Sequence, residues 1–170
     1  SVKLLRVVVL ESASRRRPTI RRLLELDQIE VVGETADPRQ ALALVHSLSP
    51  QVLAIDSSLL SRGGLELIER VMGEFPLPVV IGLEPHQTPD TPAITRALRG
   101  GALSCEPLPL SIDSEAARQF AFTVRRLARV PVVRHILSKS GNLRRGNHAP
   151  GETHGPVRKQ AQHSAEDSDR

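Results

Sequence analysis

The sequence predicts an α/β fold, a doubly wound parallel sheet built from five consecutive βα units. Two observations carry this. Short apolar runs rich in β-branched residues alternate with stripes of helical period. Pro, Gly and small polar residues separate them at the positions where helices start and stop. At this size the expected strand order is 2-1-3-4-5, the flavodoxin-like arrangement.

The first strand is Leu4-Leu5-Arg6-Val7-Val8-Val9-Leu10, almost continuously apolar, as a strand buried on both faces should be. Pro18 suits the first turn of the following helix, whose apolar stripe is Ile20, Leu23 and Leu24. Ile29–Val32 reads as the second strand. Asp37-Pro38 combines a capping side chain with a pre-set φ, and Ala41, Leu44, Val45 and Leu48 follow at helical spacing. His46 falls at the edge of that stripe. Val52-Leu53-Ala54-Ile55-Asp56 is a third strand ending in an acid. Leu65, Ile68, Val71 and Met72 mark the third helix, and Pro78–Leu83 is the fourth strand. Thr91-Pro92 opens a helix carrying Ile94, Ala97 and Leu98, closed by Gly100-Gly101. Ala102–Cys105 is the fifth strand, with Cys105 expected to be buried. The last helix runs from about Ser114 to Ala128, burying Ala117, Phe120, Val124 and Leu127. Val130-Pro131-Val132-Val133 has no place in five units and is left open between packing back and reaching a partner.

Composition divides the 170 residues in two. Residues 138–170 hold a single Leu and a single Val, too little apolar surface to offset their ordering entropy. We therefore expect a folded domain over 1–137 and a disordered polar tail over 138–170. His148, His154 and His163 in that tail are too widely spaced for a metal site.

Composition also excludes function classes. With 3 Phe and neither Trp nor Tyr, no aromatic platform for single-stranded nucleic acid is available. One Cys rules out an internal disulfide and a Cys-based zinc site. No apolar run approaches the roughly 20 residues that span a bilayer, and no leader peptide is visible, so a soluble cytoplasmic protein is expected. All 23 basic residues except Lys3, Lys139 and Lys159 are Arg, yet the net charge is only +4. Specific nucleic-acid recognition is not expected on so small an excess.

In doubly wound sheets, ligands bind beyond the carboxyl ends of the strands. Functional residues are therefore expected in Leu10–Ser14, Asp56–Gly64, Leu83–Gln87 and Glu106–Pro109. These segments resemble a response-regulator receiver domain, most of all the receiver half of the chemotaxis methylesterase. The resemblance rests on Leu5–Ser12, Ile29–Glu34, Ser49-Pro50-Gln51-Val52-Leu53-Ala54-Ile55-Asp56, Gly64–Glu69, Pro78-Val79-Val80 and Arg96–Ala102.

The resemblance implies a phosphoryl-accepting Asp, an acidic pair that holds Mg²⁺ with it, a Ser/Thr after the fourth strand and a Lys near the fifth. Asp56 is then the phosphoacceptor candidate. The acidic pair falls on Glu11 and Ser12, so Glu11 and Asp56 remain as weak candidate ligands for Mg²⁺. The Ser/Thr position falls on Leu83; a shift of one residue offers Glu84 instead. The Lys position falls on Leu108, whose neighbour Pro109 matches a family Pro that follows a cis bond. Leu60 stands at a usual Pro, and Gly64 is kept. Ser12, Leu83 and Leu108 are thus degenerate switch positions. No aromatic rotamer switch is available on a fifth strand offering Leu103, Ser104 and Cys105.

These departures predict a pseudo-receiver that binds signalling proteins, such as a histidine kinase or chemosensory components, without phosphorylation switching. Two alternatives stay open: a working single-domain regulator phosphorylated at Asp56, and a non-enzymatic remnant of a methylesterase regulator. No Gly-x-Ser-x-Gly nucleophile motif occurs, so esterase activity is not expected. Arg15, Arg16 and Arg17 in the first helical segment and Arg118, Arg125 and Arg126 in the last are partner-binding candidates. The plainer expectation for both groups is a solvated helix face. A homodimer is left open.

Overall fold

The computed structural model describes residues 3–13 and 16–133. The elements run β1 (Arg6–Leu10), α1 (Ile20–Glu25), β2 (Glu30–Thr35), α2 (Pro38–Leu48), β3 (Val52–Asp56), a 3₁₀ helix (Ser57–Arg62), α3 (Gly64–Glu74), β4 (Val79–Leu83), α4 (Pro92–Arg99), β5 (Ser104–Pro107) and α5 (Glu115–Leu127). The five strands form one parallel sheet in the order β2-β1-β3-β4-β5. The 137/138 boundary, the expected tail and its three His lie outside the described residues.

Alternation along the central strands sorts the core into two clusters. Val8, Leu10, Leu53, Ile55, Val79 and Ile81 pack beneath α2, α3 and α4. Val7, Val9, Val52, Ala54 and Val80 pack beneath α1 and α5. Strands buried on both faces need apolar residues at every position, which explains the absence of polar alternation in their sequences. Local chemistry starts the helices as expected. Thr19, Asp37, Thr91 and Ser114 each accept an amide hydrogen bond in the first turn of the helix they precede, and proline follows two of them.

Several boundaries differ from expectation. Helix α1 begins at Ile20 rather than Pro18, because Thr19 is the cap. Strand β2 runs on to Thr35, with a register irregularity opposite Val7/Val8. Strand β5 starts at Ser104, after Gly101 turns the chain at a φ of 122°. Cys105 is half-buried, with its thiol pushed up by burial and by the Glu106 carboxylate. Leu98 is exposed, leaving Ile94 and Ala97 as the buried face of α4. No cis peptide occurs among the described residues, so the Leu108–Pro109 bond is trans. His46 stacks on Phe75 with ring centroids 4.7 Å apart. Val132 packs back on the core, whereas Val130 and Val133 stay exposed.

The turn that leads from β3 to α3 depends on two glycines. Gly63 adopts a φ of 100°, a region L side chains avoid. A Cβ on Gly64 would lie 2.7 Å from the Leu59 carbonyl oxygen, a backbone atom that cannot rotate away. Gly64→Ala should therefore lower unfolding stability by about 1–3 kcal/mol, read as a reduced midpoint in urea with an unchanged m-value.

Candidate functional site

The carboxyl ends of β1, β3 and β4 converge, and each delivers an acid: Glu11 after β1, Asp56 at the end of β3, Glu84 after β4. Three carboxylates at one place demand positive charge, and Arg17 supplies it. Its Nη1 lies 2.6 Å from Glu11 Oε2. Its Nη2 and Nε donate to Glu84 Oε1 and Oε2 at 2.6 and 2.9 Å, a bidentate fork. Nη2 also stands 3.6 Å from Asp56 Oδ2. Nη1 donates in addition to the Pro18 carbonyl at 2.8 Å. Arg17 is only 6 % exposed.

The expectation of a solvated, partner-facing Arg17 is therefore wrong. Arg17 directly precedes Pro18, and the residue before a proline is pushed out of the helical region. It lies ahead of α1 rather than on it. Arg15 lies outside the described residues. Arg16 is exposed and lines an open cleft with Ser12, Ala13, Ser58, Pro85 and His86.

Asp56 is fully buried. Its Oδ2 accepts from the Ser12 amide at 3.3 Å and hydroxyl at 3.0 Å, and its Oδ1 from the Ser58 amide at 3.0 Å. The Ser58 bond caps the 3₁₀ helix. Burial pushes the Asp56 carboxyl up, but side-chain hydrogen bonding with Glu84 and the bonds from Ser58 and Ser12 override it and hold the group below its ordinary value. Glu11 has the opposite outcome. Burial raises its carboxyl further than Arg17 and the Ile20 amide lower it. The Ile20 amide sits 3.0 and 3.1 Å from the two Glu11 oxygens. Burial disfavours the charged guanidinium of Arg17, but Glu84 and Glu11 outweigh that and hold it firmly protonated.

The two apolar switch positions are built into the core. Leu83 is buried in the cluster beneath α3 and α4. Leu108 is buried in the cluster on the opposite face. Its side chain fills the space over Gly82, where a Cβ would meet Leu108 Cδ2 at 2.9 Å. Ser57, beside Asp56, accepts from the Glu84 amide at 3.0 Å and donates to Gln87.

The donor set does not fit Mg²⁺. That ion wants oxygen ligands at about 2.0–2.1 Å in octahedral array. Here a guanidinium lies among the acids, and Ser12 stands where a second carboxylate would be needed. Among the described residues no three His, Cys, Asp or Glu are placed to hold a metal. The expected Mg²⁺ candidates Glu11 and Asp56 are brought together, but by an arginine.

On α5, Arg118 pairs with Glu115 at 2.9 Å and Arg126 lies over the Phe122 ring at 5.9 Å, both at the surface. Arg125 is committed internally: its Nε reaches Asp27 Oδ2 at 2.6 Å and its Nη2 donates to the Asp27 carbonyl. Sequence reasoning missed Glu84 as a partner of Arg17, although an acid directly after a wholly apolar strand was a usable signal.

No family model matches the chain. Among curated relatives, it is 31 % identical over 136 residues to a protein-glutamate methylesterase/protein-glutamine glutaminase of Anaeromyxobacter dehalogenans, covering 77 % of this chain and 40 % of that protein. It is 32 % identical over 159 residues to the corresponding protein of Moorella thermoacetica, covering 92 % of this chain and 37 % of that protein. The chain thus spans about two fifths of the length of these relatives. Among solved structures, the signal receiver domain of the putative response regulator NarL from Mycobacterium tuberculosis matches with a TM-score of 0.58 at 27 % identity, covering 76 % of this chain and all 100 % of that one. The response regulator domain of Thermotoga maritima CheB matches in fold with a TM-score of 0.57 at 23 % identity, covering 76 % of this chain and 99 % of that one.

Two outcomes follow from the charge cluster. Removing one member of a buried ion network costs about 3–5 kcal/mol, so Arg17→Met should lose that much at neutral pH by urea unfolding, and the deficit should shrink on acidification as the stranded carboxylates protonate. Asp56, held below its ordinary value, contributes stability that is complete above the unfolded pKa of about 3.9 and is lost as pH falls through the lower native one. Asp56→Asn should flatten that acid limb in thermal melts recorded against pH.

Proposed function

We propose that this response-regulator receiver domain works as a pseudo-receiver: it binds signalling proteins of a two-component or chemosensory pathway without being switched by phosphorylation at Asp56. The observation that carries this reading is the environment of Asp56. Attack by a carboxylate on a phosphoryl donor needs cations to cancel the repulsion between anions and groups to receive the transferred phosphoryl oxygens. Leu83 and Leu108 offer no such groups, and both are buried in the core. Asp56 Oδ2, the oxygen nearest Arg17, already accepts two hydrogen bonds from Ser12. Arg17 is a cation, but its fork is spent on Glu84 and Glu11.

Partner binding then falls to the surface. Arg16, Arg118 and Arg126 are exposed and remain candidates for contact with acidic partners. Arg125 is not, since it fastens α5 to Asp27. The chain spans only about two fifths of the relatives named as methylesterase and glutaminase, and we assign neither activity to the described residues. No helix among the described residues is long and apolar enough to cross a membrane, and we place the working protein in the cytoplasm.

Incubation with a small-molecule phosphodonor or a cognate histidine kinase in the presence of Mg²⁺ should leave Asp56 unmodified by intact-mass measurement. Stoichiometric acyl phosphate on Asp56, abolished in Asp56→Asn, would overturn the reading in favour of a working regulator. In affinity capture, Asp56→Asn should retain the same partners as the native chain.

A further inference from the structure

We infer that Arg17 is the resident cation of the acid pocket, a covalently tethered replacement for a divalent ion, and that the native chain consequently takes up no Mg²⁺ there. The inference deepens the proposed function and rests on the same site, but it concerns the metal rather than the phosphoryl group.

The geometry leaves a divalent ion no room and few ligands. Arg17 Nη1 and Nη2 each approach a carboxylate oxygen to 2.6 Å, Glu11 on one side and Glu84 on the other. The same Nη2 faces Asp56 Oδ2 at 3.6 Å. An ion at coordinating distance from both Glu11 and Asp56 would meet this guanidinium, whose charge opposes it. The ligands are also engaged elsewhere. Both Glu11 oxygens face the Ile20 amide, and Asp56 is held by Ser12 and Ser58. A solvent ion leaves when its concentration falls; a side chain does not. The positive charge of this pocket is therefore written into the chain and is independent of metal supply.

Glu84 is what makes the substitution work. Three acids and one guanidinium leave a formal excess of negative charge, and the bidentate fork to Glu84 fixes the plane of the guanidinium so that Nη1 reaches Glu11. Lysine, a point charge without that fork, would hold the charge but not the orientation.

The test titrates Mn²⁺ into the full chain without phosphodonor and follows paramagnetic broadening of the Ser12 and Ser58 amide signals, with MgCl₂ melts in parallel. The native chain should show no saturable broadening and no Mg²⁺-dependent rise in melting temperature. Arg17→Met should bind Mn²⁺ roughly a hundredfold or more tightly than native, since a unit charge about 4 Å from the ion has gone. If Arg17→Met does not fold in chelator, Mg²⁺ or Mn²⁺ should rescue its folding. Arg17→Lys should stay metal-free. Saturable Mn²⁺ binding by the native chain at Ser12 and Ser58 overturns the inference. So does an Arg17→Met variant that gains neither binding nor metal-dependent folding. Phosphorylation of native Asp56 would instead overturn the pseudo-receiver reading, so the two failures are told apart by different measurements.

Discussion

The structure turns on one buried guanidinium among three carboxylates, Asp56 and Glu84 buried and Glu11 partly so. Such a network is costly to assemble, because every member loses its water. It persists only where geometry and hydrogen bonds repay the loss, and here three of the four members have a further hydrogen-bond partner: Pro18 for Arg17, Ile20 for Glu11, Ser12 and Ser58 for Asp56. The network also ties together the chain segments that leave β1, β3 and β4, which share no hydrogen-bond ladder beyond the strand ends. The side of the sheet where a ligand would bind is thus held by charge, while the body of the domain is held by aliphatic packing.

The fate of the two positions at which the resemblance expects phosphoryl-binding groups follows from packing. Leu83 and Leu108 come from neighbouring places on β4 and just past β5, yet they enter opposite core clusters. Leu108 can lie flat on the sheet because Gly82 has no side chain. A longer, charged side chain at 108 would have to leave that space empty or bury its charge. The apolar pair is therefore part of the packing on both faces of the sheet.

The fold was legible from periodicity alone, because fully buried parallel strands and one-sided helices leave different patterns. Boundaries were less so, as at β5, where a positive-φ glycine delays the strand by two residues. Half of the site was legible too: Asp56 and Glu11 stand at strand ends, where topology dictates function. Arg17 was not, because an arginine in a run of arginines reads as solvent-facing, and the proline that follows it keeps it out of the helix its neighbours suggest. Glu84 carries no signal of its own in the sequence beyond its place next to Leu83, since its role appears only when a cation from another segment folds onto it. Long-range charge pairing of this kind has no local sequence period.

Asp56 caps the 3₁₀ helix through the Ser58 amide, satisfying a donor that the start of the helix leaves without an intrahelical partner. The aspartate at the end of the third strand thus has a structural duty of its own. Its carboxylate therefore serves the scaffold whether or not it serves signalling chemistry.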